Sequence, residues 1–113
     1  MLKKDNALVM LMVETIEKIL SYVSEINNAE ELEKDTKSFD ATIMNFIALG
    51  ECVGKLTDEF RDKYPEINWR KIYAFRNVLA HDYFGILPQE VWEIIKNDLP
   101  LLKNSLQSIL DSK

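Results

Sequence analysis

The sequence predicts an all-α protein, an antiparallel up-and-down bundle of four to five helices, on three observations. Only 3 Gly and 3 Pro interrupt 113 residues rich in Leu, Ile, Glu and Lys, a composition that favours helix. Apolar residues recur at three- and four-residue spacing through the long segments, which gives each one buried face. No segment shows the alternation of a half-buried strand, and nothing reads as a repeat or a flexible linker. A chain of this length has room for one core, so residues 1–113 are expected to form a single domain.

The first helix is expected from about Asn6 to Asn27, with Leu8, Leu11, Met12, Ile16, Ile19, Leu20 and Val23 on its apolar stripe. Its start, Met1-Leu2-Lys3-Lys4 followed by Leu8 to Val13, superficially suggests a signal peptide. Glu14, Glu17 and Lys18 continue the helical register and no small-residue cleavage site follows, so it reads as a core helix. Ala29–Asp35 is polar enough for a short surface helix or a loop. A second long helix is expected from Phe39-Asp40 to about Lys63, with Ile43, Phe46, Ile47, Leu49, Val53, Leu56 and Phe60 inward. Gly50 and Gly54 lie four apart on it, a spacing that suits a second helix crossing closely.

Pro65 ends that region. Asn68 is placed to cap a third helix from Trp69 to about Phe84, with Ile67 and Ile72 as a staple across its start and Gly85 as a left-handed stop. Pro88 suits the first turn of a last helix carrying Val91, Trp92, Ile94, Ile95, Leu99, Leu102, Leu106 and Ile109. Pro100 falls inside that pattern and should kink or split it.

The net charge is −5, which argues against broad coating of nucleic acid. The charge is uneven: residues 55–76 carry Lys55, Arg61, Lys63, Arg70, Lys71 and Arg76 against four acids, a local balance of +2. No apolar run approaches the roughly 20 residues needed to span a bilayer. One cysteine, Cys52, allows no intrachain disulfide and fits a reducing cytoplasm. It reads as a small buried hydrophobe; the alternative is a nucleophilic pair with His81. One His, one Cys and no HxxxH or CxxC spacing offer no metal-ligand set, and no cofactor is expected.

The basic stretch runs into Arg76-Asn77-Val78-Leu79-Ala80-His81-Asp82-Tyr83-Phe84-Gly85, which holds the only histidine. At about 100° per residue, with Arg76 at the origin, Tyr83 falls near −20°, Ala80 near 40°, Asn77 near 100° and His81 near 140°. Phe75, Val78 and Leu79 lie on the opposite side, expected to face the core. Asp82, at about 240°, breaks the pattern. An arginine can hold phosphoryl oxygens bidentately and a histidine can move protons near neutrality. The pair suits attack of an RNA 2′-hydroxyl on its neighbouring phosphate, which needs no metal. The reading meets two geometric difficulties. Arg76 and His81 diverge by about 140°, and one histidine cannot serve at once as acid and base. A two-fold homodimer that brings two such helices face to face would relieve both. On the other side, a lone Arg and His on an amphipathic helix are usually solvated or satisfied by hydrogen bonds.

Arg76-Asn77-Val78-Leu79-Ala80-His81-Asp82-Tyr83 resembles the R-x4-H-x-Y motif of HepT-like toxins in the HEPN superfamily. Gly50-Glu51 in the second long helix, Pro65 to Trp69 before the motif and Val91-Trp92 after it match as well, so the resemblance covers nearly the whole chain. It implies a four- to five-helix bundle in a homodimer, with a composite site in the cleft between motif helices. It implies metal-independent RNA cleavage with Arg76 and His81 catalytic and Asn77 supporting. It further implies an MntA-type minimal nucleotidyltransferase antitoxin that transfers AMP from ATP to the motif tyrosine, Tyr83. Two other readings stand beside the toxin. One is a non-catalytic module that docks a nucleotidyltransferase and helps bind its substrate; the other is a plain dimeric scaffold.

Overall fold

The computed structural model describes residues 3–112, so Met1 and Leu2 of the leader-like start, and the last residue of the expected domain, lie outside the described residues. The chain is an all-α bundle of 41 × 27 × 20 Å, with no strand among the described residues. Its helices are α1 (Lys3–Tyr22), α2 (Ala29–Lys34), α3 (Thr36–Lys55), α4 (Asp58–Lys63), α5 (Trp69–His81), α6 (Pro88–Glu93) and α7 (Leu99–Asp111). A π turn, Ile94–Asp98, joins α6 to α7. Helix α3 is the centre: α1 packs on one side of it and α5 on another, while α7 closes on α1 and α2 bridges α3 and α6. Val9, Met12, Ile16 and Ile19 of α1, Leu49 and Val53 of α3, and Leu99 and Leu106 at the C-terminal end are almost fully withdrawn from solvent. At about 25 cal/mol per Å² of apolar surface, each such side chain contributes roughly 1.5–3 kcal/mol.

Side-chain caps punctuate the helices. Asn28, Asp35, Thr57 and Asn68 each accept an amide N–H from the first turn of α2, α3, α4 and α5, and each such cap is typically worth about 1 kcal/mol. The polar segment after α1 is thus a capped helix, and its Leu32 is fully buried.

The second long helix departs from the expected single span. It starts at Thr36 and breaks at Leu56-Thr57, with α4 as a separate turn and a half. The break has a partner 52 residues away: the buried Asp5 carboxylate accepts the Thr57 amide at 2.9 Å and its hydroxyl at 2.8 Å. Two charge-assisted bonds to a carboxylate offset the loss of the helical ladder there. The periodicity of Val53, Leu56 and Phe60 continues through the break, so it left no trace in the pattern. The last helix is interrupted where Pro100 requires it. Proline lacks an N–H and its ring crowds the carbonyl four residues back; the wider π turn just before it opens the ladder and lets the helix continue.

Candidate active site

The site is built on the α3–α5 crossing. A Cβ added to Gly50 would stand 2.2 Å from Arg76 Cβ, and one on Gly54 would stand 2.8 Å from the Tyr73 ring. The two glycines therefore let α5 lie directly against α3, the close crossing expected from their spacing. The stem of Arg76 rests on Gly50, and its guanidinium is fixed from three directions. Nη1 donates to Asn77 Oδ1 at 2.7 Å, Nη2 pairs with Glu51 at 3.2 Å, and Cζ stands 5.8 Å from the Tyr73 ring centroid. Nε is buried without a hydrogen-bond partner among the described residues. Asn77 thus orients the arginine, and Glu51 holds it from α3.

His81 is the last residue of α5. It is exposed, with no hydrogen-bond or ion-pair partner among the described residues. Both Arg76 and His81 lie within regular helix, so their divergence of about 140° holds in the folded chain. One chain presents them side by side along α5 and does not converge them on a single point.

Beyond His81 the expected helix is corrected. The motif helix stops at His81, short of Phe84, and a 3₁₀ turn spans Tyr83–Gly85. Asp82 causes the stop. Its amide closes the last bond of α5 onto Val78, and its carboxylate accepts the Gly85 amide at 3.1 Å, capping the turn. Gly85 is not a left-handed stop, because no glycine has positive φ. It is small because a Cβ there would meet the Asp82 carboxylate at 2.1 Å. The residue that broke the helical wheel is the residue that ends the helix.

Tyr83 consequently leaves the α5 face, and its wheel position beside Arg76 does not describe it. Its phenol donates to the Asp40 carboxylate on α3, and its ring meets Phe39 edge-on at 6.3 Å. The hydrogen bond to Asp40, with its negative charge, pushes the phenol pKa above the usual tyrosine range. The ring stays 42% exposed, so a bound phenol remains open to an incoming reagent. Asp40 was not singled out in the sequence; it lies 43 residues from Tyr83 and no local pattern links them.

Val78, expected in the core, is 58% exposed. It forms one lip of an apolar groove between α5 and α7, with Leu101, 67% exposed, on the other side and Phe46, Phe75 and Leu102 within. Helical spacing marks Val78 as apolar-facing without saying what covers it. Cys52 is buried, and burial pushes its thiol pKa up. An activated nucleophile needs the opposite shift, so the geometry supports the reading of a packed hydrophobe. No group of three or more His, Cys, Asp or Glu among the described residues could hold a metal ion. No described helix is long and apolar enough to cross a membrane.

The all-α bundle and the placement of Arg76 and His81 on α5 agree with what the resemblance to HepT-like proteins implies for the fold. The sequence profile of the family described as ribonuclease HepT-like matches residues 12–109. A Methanocaldococcus jannaschii protein named as an RNase is 33% identical over 87% of this chain and 81% of its own length. A protein of Thermococcus cleftensis named as a probable ribonuclease HepT is 32% identical, over 85% of this chain and 86% of its own. A Caldanaerobacter subterraneus protein named as an RNase is 32% identical over 74% of this chain and 75% of its own. No solved structure matches. The chain belongs to the HepT-like ribonuclease family, whose members are endoribonucleases of the HEPN type.

Proposed function

We propose that this chain, acting as one bundle domain over residues 1–113, is the toxin of a toxin–antitoxin pair in a prokaryotic cytoplasm. It cleaves RNA without a metal. The observation that carries the reading is the α5 face, where Arg76 is held by Asn77 and Glu51 while His81, about one turn further on, has no partner among the described residues. A 2′-hydroxyl attacks the adjacent phosphorus, the P–O5′ bond breaks, and a 2′,3′-cyclic phosphate and a 5′-hydroxyl result. Arg76 stabilises the phosphoryl oxygens and His81 moves the proton; Asn77 keeps the guanidinium aimed. The test is cleavage of total RNA by purified protein in excess EDTA, together with growth on expression without a partner. A folded protein that cleaves nothing and harms nothing would move the reading to a nucleotidyltransferase-docking module.

The site is completed in a homodimer. A single α5 cannot converge its arginine and histidine, and its exposed side includes Val78 at the lip of the apolar groove. Exposed apolar patches of this kind mark association surfaces. A second copy packed there about a two-fold axis covers Val78 and Leu101 and brings two His81 side chains toward one cleft. Leu101→Asp lies outside the motif and is expected to give a folded monomer by light scattering, with RNA cleavage lowered at least a hundredfold. A variant that stays dimeric, or a monomer of full activity, would sink this assembly.

Tyr83 is the acceptor of AMP from an MntA-type nucleotidyltransferase antitoxin. Its support is the exposed phenol, held by Asp40 on a turn directly after His81. Attack of the phenol oxygen on the α-phosphorus of ATP releases pyrophosphate and leaves a charged phosphodiester beside the cleft, which repels RNA. Tyr83→Phe is expected to retain RNA cleavage within about threefold and to take no 329 Da AMP adduct by intact mass. An adduct on the Phe variant would place the acceptor elsewhere.

A further inference from the structure

A polar cleft lies beside Arg76, where the end of α3, the α4 turn and the start of α5 meet. Val53, Gly54 and Ile67 line its apolar part, with Tyr73 and Arg70 on the α5 side. Tyr73 is 41% exposed and lies over Gly54, which has no side chain to lift it, and its ring centroid is 5.8 Å from Arg76 Cζ. Arg70, Tyr73 and Asn77 fall within about 60° of one another on α5 and form one continuous stripe that leads to His81. Arg61 also faces the cleft, but its guanidinium is engaged by the Val53 carbonyl and Asp58, which leaves Arg70 as the cleft cation without a partner among the described residues. Asp62 and Glu66 border the cleft as well. An aromatic plate and one free guanidinium beside two carboxylates suit a single nucleotide better than a long charged backbone.

We propose that this cleft is the subsite for the nucleotide next to the scissile phosphate, with its base stacked on Tyr73 and its phosphate against Arg70. The inference rests on the reading that Arg76 and His81 form the cleavage site. It makes the substrate single-stranded at that position, because only an unpaired base presents a face to an aromatic ring. Tyr73 and Arg70 are positioning residues: they bind the neighbour of the reacting group and do not touch the reacting bond.

The test uses an oligonucleotide with one ribonucleotide in a 2′-O-methyl backbone, which fixes the cleaved bond, and versions abasic at each flanking position in turn. In the wild-type protein, one abasic position is expected to raise KM about tenfold and leave kcat within about threefold. Tyr73→Ala is expected to raise KM on the full substrate by the same factor and to erase the difference between full and abasic versions, and Tyr73→Phe to restore both. Arg70→Ala is expected to raise KM severalfold on every version and to lower the slope of log KM against log salt by about one. If Tyr73 only steadied Arg76, its loss would lower kcat and leave the abasic penalty undiminished, and that result overturns the subsite. So does a wild-type protein indifferent to every abasic position. A wild type that fails to cut the full oligonucleotide removes the cleavage reading itself, and the subsite with it.

Discussion

His81→Ala is expected to lower RNA cleavage by about a thousandfold or more, with the fold and the proposed dimer unchanged. A positioned general acid–base group typically contributes 10²–10⁴ in rate, and the chain has no second histidine to replace it. The imidazole is exposed and bonded to nothing else among the described residues, so its loss leaves no buried polar group behind. Arg76→Ala should cost a comparable factor through lost charge stabilisation, about 10²–10³. That variant also releases Glu51 and Asn77 from their shared partner, so its melting temperature must be measured beside its activity. Arg76→Lys separates the two effects: it keeps the charge but loses the fork that binds Asn77 and Glu51 together. It should remain severely impaired. Cleavage near the wild-type rate by His81→Ala would remove the catalytic assignment.

Gly50→Ala is expected to be the most damaging small substitution in the bundle. The new methyl would stand 2.2 Å from Arg76 Cβ and 2.7 Å from its Cγ. Ordinary contact is about 3.5–4.0 Å. Arg76 Cβ is fixed to the α5 backbone, so the clash moves the helix itself by more than an ångström. Overpacking costs about 1–3 kcal/mol and occasionally more, while Gly→Ala in a helix recovers at most about 1 kcal/mol. A net loss of about 2 kcal/mol corresponds to a fall of roughly 8–15 °C in melting temperature for a domain of this size. Activity should fall further than stability, about a hundredfold in the fraction that stays folded, because a misplacement near 1 Å is enough. Gly54→Ala is the control. There the obstacle is the edge of the Tyr73 ring at 2.8 Å, which can swing aside, so stability should change by less than about 1 kcal/mol. Equal effects of the two substitutions would show that the crossing is not seated on Gly50.

The features that periodicity and spacing made visible are those set by neighbours in the chain. The helix order, the Asn68 cap, Pro88 in a first turn and the Gly50–Gly54 crossing all belong to this kind. What escaped depends on partners far along the chain. The break at Thr57 answers to Asp5, and the place of Tyr83 answers to Asp40, across 52 and 43 residues. Asp82 stands out as an anomaly on the wheel that suits a helix end or a polar contact, and its turn-capping role is the kind that short polar side chains take at helix ends. Val78 shows the limit in the other direction. A buried face and an exposed apolar face carry the same spacing, and only the folded chain distinguishes them.

The π turn at Ile94–Asp98 bears on how this chain can change by insertion and deletion. A single π turn is an α-helix with one residue too many. Removing any one of its five residues would leave a helix more regular than the present one. The wide turn spends five residues on nearly the rotation that four make in an α-helix, so downstream positions would keep their faces. Leu106 and Ile109 would stay buried against the bundle. Pro100, however, would meet an unrelieved ladder. The irregular turn therefore absorbs one extra residue without disturbing the last helix, and a deletion inside it should be tolerated better than one anywhere in the regular turns of α7, where each lost residue turns the rest by about 100°.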